Sequence, residues 1–192
     1  MTKRTLTSSI SKQKEESPLL SKPGELILYF GQAQLLLNLL AQIPAKGAVA
    51  VHKTRLIANI SPQIQEWGKF HQDLIAEHAL TEPVDSSEPE GEKRVVRYSA
   101  ADQLAGTIPE GEVVGAAKFA TPEARLAFIV AFDALIKELP ITVNVANTSL
   151  KKALTVMHDA LTGDLCPLID EQVLFTFERI VEEIETALNL TA

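Results

Sequence analysis

A single cysteine, Cys166, leaves the chain unable to form an internal disulfide. That suits a reducing compartment, and equally any particle whose proteins hold together without cross-links. No uninterrupted apolar run approaches the roughly 20 residues a membrane span needs. The nearest, Leu26 to Ile43, is interrupted by Gln32, Gln34, Asn38 and Gln42 and reads as a buried amphipathic helix. After Lys3 and Arg4 come Ser, Gln and Glu instead of a hydrophobic signal core, so no secretion signal is expected.

Positive charge is also short. The net charge is −7, which argues against a general binder of nucleic acid, whose affinity would come from neutralising phosphates. The charge is uneven, however. Residues 1–22 hold five Lys/Arg against two Glu, so this arm is +3 and the remaining body −10. A basic, Ser/Thr-rich arm on an acidic body reads as a tail that orders against a partner, with an untethered disordered terminus as the alternative. Its candidate contact residues are Lys3, Arg4, Lys12 and Lys14, with Leu19 and Leu20 as a small apolar anchor.

Catalytic signatures are missing as well. GTIPEGEVVG (106–115) has neither dinucleotide-binding nor phosphate-loop spacing. Three of the four histidines lie on the stretch 43–78, but His71 and His78 are seven residues apart, about 10.5 Å along a helix. Helical metal ligands sit three or four apart, so these two cannot share an ion. His52 has no acid or histidine one turn on, and Asp159 after His158 points elsewhere. Cys166, in DLCPLID, has no signature of a partner base and reads as a structural thiol. Glu171, Glu178, Glu182, Glu183 and Glu185 read as a solvated helix face and not as acid/base pairs. No cofactor and no catalytic residue are expected.

With 192 residues and 46% hydrophobic content, one domain with a real core is expected. Residues 1–22 form the extended arm and 23–192 one body. Ser21 as cap and Pro23 in the first turn predict a helix running to about Gln42, covered on more than one side. Pro44 breaks it. Ile57, Ile60, Ile64, Trp67, His71, Leu74 and His78 then form the seam of a long helix, with Lys53, Arg55, Gln63, Glu66 and Lys69 toward solvent. The seam keeps its phase through Pro62, which predicts one kinked helix or two closely stacked ones.

TEPVDSSEPEGEK (81–93) reads as a solvated acidic loop. RVVRYS (94–99) and EVVGAAKF (112–119) read as short strands able to pair as a hairpin-like excursion. Thr121, Pro122 and Glu123 start a helix to about Leu139 that should bury Leu126, Phe128, Ile129, Phe132, Leu135 and Ile136. Pro140 stops it, and ITVNV reads as a strand. Thr148 or Ser149 caps the next helix, which should end at a left-handed Gly163. Asp170 caps the last, with Phe177, Ile180, Val181, Ile184 and Leu188 inward. The expected class is α+β and predominantly helical, with four or five helices, a small inserted hairpin or sheet and an extended arm.

This order, carried by LLAQIPAK (39–46), HKTRLIANISPQIQEWGKFHQDLIAEH (52–78), KFATPEARLAFIVAFDALIKELPITVNV (118–145) and LIDEQVLFTFERI (168–180), resembles an uncharacterised family of small proteins encoded by tailed bacteriophages. The resemblance spans about two thirds of the chain. It implies a phage origin and a helical fold and transfers no catalytic residue. The expectation is a non-enzymatic virion component in a decoration, connector or tail role, assembled in the bacterial cytoplasm. Its partners would be other phage structural proteins, including copies of itself, with no membrane and no direct nucleic acid. The alternative is an intracellular phage accessory protein that binds and inhibits or redirects a host factor.

Overall fold

The computed structural model describes residues 21–44, 46–84 and 93–190. Pro23 and Gly24 do not open a helix; they turn the chain. Proline presets the first turn position and Gly24 takes φ of +90°, the combination of a type II turn. Lys22 and Glu25 close the turn with reciprocal backbone hydrogen bonds of 3.1 and 2.9 Å. The expected helical start is therefore replaced by strand β1, Glu25–Leu28, and helix α1 covers only Phe30–Gln42. Leu26 and Leu28 are fully buried, on the inward side of an alternating strand.

β1 pairs antiparallel with β4, Ile141–Asn144, in the register Leu26 opposite Val143 and Leu28 opposite Ile141. Between β1 and β4 run the long helix α2, Ala48–His78, a short strand pair and α4, Pro122–Glu138. α5, Thr148–Thr162, and α6, Glu171–Leu188, complete the chain. The small sheet lies against α6, and α2 packs along α1, α5 and α4. One apolar core joins Leu36, Leu40, Leu56, Ile60, Leu154, Met157, Ile180 and Ile184 to the inward residues of the sheet. The class is α+β and mainly helical, with six helices among the described residues.

α2 is one continuous helix through Pro62. Its inward stripe contains His52, Leu56, Ile60, Trp67 and Ile75, with Ile57, Ile64, His71, Leu74 and His78 half-buried along its edge. Arg55, Glu66 and Lys69 face solvent as expected, whereas Lys53 and Gln63 do not. Lys53 Nζ donates to the carbonyls of Ala41 and Ile43, at 3.1 and 3.0 Å, and so caps the end of α1, which has no basic residue in its own last turn.

The loop expected at 81–93 begins and ends as structure. Thr81–Pro83 forms β2 and pairs with β3, Lys93–Val95, with Arg94 bridging Glu82 at 2.7 Å. Beyond β3 the anticipated contact of 94–99 with 112–119 is reduced to a bridge at Arg97 and Ala117, flanked by backbone bonds from Tyr98, Gly115 and Lys118. A one-turn helix, α3 (Ala100–Leu104), capped by Ser99, fills part of the interval.

α4 opens with Thr121 accepting from the Ala124 N–H, as its sequence predicts. Its burial differs from expectation. No residue of α4 is fully buried, and Leu126 and Ile129 are 61% and 40% exposed. α4 touches the body mainly through α2, so only its Phe128 and Phe132 side is covered.

α5 is capped by Asn147, whose side chain accepts from the Ser149 and Leu150 N–H groups; the cap thus lies before both predicted candidates, Thr148 and Ser149. Gly163 ends α5 with φ of −111°, not in the left-handed region. Glycine is needed there for another reason. A Cβ would stand 2.8 Å from the Asp159 carbonyl oxygen.

Candidate functional site

The point where the arm meets the body is built from the first described residue, Ser21. Its backbone N–H donates to Glu183 Oε2 at 2.7 Å. Glu183 is only 6% exposed, so this is a charge-assisted bond inside the protein, about twice as strong as a neutral one. Glu183 was expected on the solvent face of α6. It lies inward because it shares the stripe of Ile180 and Ala187, three residues before it and four after. Arg179, one turn earlier, approaches the same carboxylate at 3.8 Å and Glu182 at 3.3 Å.

The Ser21 hydroxyl works on the opposite side of the same residue. It accepts from the Ile27 N–H at 2.8 Å and donates to the Ile27 carbonyl at 3.2 Å. Ile27 faces Thr142 across the sheet. Thr142 is closed in the same manner by Gln63 of α2, whose carboxamide accepts from its N–H and donates to its carbonyl, both at 2.9 Å. One rung of the sheet thus has both outward edges satisfied by side chains. The turn before it is fixed too, because the Gly24 N–H reaches the Ala187 carbonyl at 2.9 Å and the Val145 N–H reaches the Gly24 carbonyl at 2.8 Å. Residues 21–24 therefore belong to the body, although Ser21 and Lys22 fall within the segment expected as an arm. Lys3, Arg4, Lys12, Lys14, Leu19 and Leu20 lie outside the described residues.

The histidines occupy separate environments. His71 sits in an aromatic cluster with Trp67, Phe128 and Phe132, ring centroids 5.1 to 6.2 Å away. Burial, helped by the nearby Arg97 charge, pushes its pKa below the usual 6.5. Trp67 stacks on Phe30 at 3.8 Å and is almost fully buried. His78 meets the edge of Phe128. His158 contacts Glu185 at 3.2 Å on the neighbouring helix, and His52 lies inward on α2. Among the described residues no cluster of three or more His, Cys, Asp or Glu is placed to hold a metal ion.

A cleft opens beside α4, made of two adjoining cavities of about 250 and 260 Å³ that share Glu112, Phe119 and Arg125. Arg125 and Glu112 are already closed on each other at 2.6 Å. Lys118 and Asp102 form a second pair at 2.8 Å. The Lys118 and Ser99 hydrogen bonds hold the Asp102 carboxyl far below the usual carboxylate range. These charges brace the excursion. The described lining offers no nucleophile adjacent to a base. Cys166 is half-buried, with its thiol on the Pro167 carbonyl.

No described helix is long and apolar enough to cross a membrane. No protein-family model, curated protein or solved structure matches the chain.

Proposed function

We propose that this chain is a non-enzymatic structural component of a tailed-phage particle, seated on its neighbours by residues 1–20. The observation that carries the reading is the Ser21–Glu183 bond, a buried tether at 2.7 Å where the arm leaves the body. For a docking arm, a fixed exit point limits the volume explored and so raises the arm's effective concentration at a neighbour.

Charge supports the same reading. Residues 1–20 hold four Lys/Arg against two Glu, and an arm of +2 on a body of −9 is complementary to acidic surfaces, including those of other copies. Exposed ion pairs of this kind contribute about 0.2–1 kcal/mol each and weaken with salt. Leu19 and Leu20, next to the tether, are the residues able to add apolar area. The phage assignment itself rests on the order of elements that resembles the phage family.

Mass spectrometry of purified particles tests this. The chain should be present at fixed stoichiometry. Its presence only in infected-cell lysate would overturn the reading and favour a host-directed accessory protein.

A further inference from the structure

α4 has the composition of a buried helix and the surroundings of a half-covered one. From Leu126 to Ile136 its only polar residue is Asp133. A helix apolar on all sides is normally covered on all sides. Yet α2 is its principal neighbour, and the far side leaves Leu126 and Val130 61% and 63% exposed, with Ala127 beside them. Surface of this kind, contiguous and rimmed by charge, marks an interaction site.

The rim says what covers it. Val130 is the middle residue of Pro122–Glu138. Glu123 lies seven residues before it and Lys137 seven after, both exposed and on the same outward stripe as Leu126, Val130 and Asp133. Reversing the helix about Val130 therefore exchanges an acid for a base at each end. We propose that α4 pairs antiparallel with the α4 of a second copy across a two-fold axis at Val130, seating Glu123 of each copy against Lys137 of the other.

The other positions agree. Leu126 comes opposite Ala134, where Val130, Asp133, Ala134 and Lys137 line a shallow groove able to take a leucine knob. Asp133 comes opposite Ala127, so no like charges meet. Glu138 comes beside Pro122 at the amino end of the partner helix, where the helix dipole favours an acid. Glu123 is held ionised by its own backbone N–H and by Thr121. Lys137 is already engaged within its own chain, and an ammonium has three donors to share. A two-fold interface must be self-complementary, and this stripe is. The pairing does not use the arm, so it stands or falls apart from the particle reading.

Sedimentation of the full chain at about 100 µM should give twice the 20.9 kDa mass. Val130→Glu, at an exposed site, should leave the circular dichroism unchanged, leave melting unchanged at dilutions where the wild type is monomeric, and abolish the dimer. Glu123→Lys should weaken it roughly tenfold, and Glu123→Lys combined with Lys137→Glu should restore it. A monomeric wild type, a dimer indifferent to Val130→Glu, or a double variant no tighter than the single one would each overturn the proposal.

Discussion

The backbone N–H of Ser21 and the carboxylate of Glu183 meet at 2.7 Å although 162 residues separate them. This bond joins the root of the arm to the last helix, and with it the first strand to the end of the chain. It fixes the position of Ser21 in the body.

Removing the acceptor should be costly, because it leaves a buried donor unpaired. Glu183→Ala is expected to destabilise by about 1–3 kcal/mol in urea denaturation, whereas Glu182→Ala, on the exposed face, should stay within about 0.5 kcal/mol. Equal effects for the two would mean that Ser21 is not held by Glu183.

The boundary of the arm follows from the same bond. A chain beginning at Ser21 should melt like the full protein. One beginning at Gly24 loses the Ser21 hydroxyl from Ile27 and the N–H from Glu183, and should be less stable by roughly 2–4 kcal/mol. Comparing the two melting curves locates the boundary.

Gln63 serves the far edge of the same rung. Gln63→Ala strands the Thr142 N–H and carbonyl and should cost about 1–3 kcal/mol. Gln65→Ala, two residues on and exposed, should cost almost nothing. Gln63→Glu should recover only part, since a carboxylate accepts from the N–H but cannot donate to the carbonyl.

His71 makes the fold sensitive to acid. Its pKa is lowered in the folded state, so the unfolded chain binds the proton more readily. Its neutral form is fully accommodated above the usual 6.5, and stability is lost as pH falls through that value toward the depressed folded pKa. Denaturation midpoints should drop between pH 8 and pH 5.5 more for the wild type than for His71→Gln. The opposite order would contradict this environment. In the same cluster, Trp67→Ala should cost about 3–5 kcal/mol.

Helices with one strong period and clear punctuation were legible in the sequence. Thr121–Pro122–Glu123 and Asp170 start their helices as expected, and Pro140 ends one, because capping and proline chemistry act locally. The Pro23–Gly24 turn was also written locally, but Ser21 and Pro23 equally suit a helix start. The choice was made by Val143 and Ile141, more than a hundred residues away, which give β1 its partner. Gln63 and Glu183 were misplaced by type. Long polar residues at the edge of an apolar stripe face solvent unless a remote backbone group needs them, and that need is visible only in the fold. α4 misled differently, since its apolar residues run all round while α2 covers only one side. The arm's contact residues were read from charge and composition alone.

The central claim is that residues 1–20 seat the protein on its neighbours, and one measurement addresses it directly. Particles are produced with the full chain and with the chain beginning at Ser21, then purified and quantified by mass spectrometry alongside melting curves of both proteins. The account predicts equal melting and loss of the shortened protein from the particles. Incorporation of the shortened protein at the full chain's stoichiometry would contradict it.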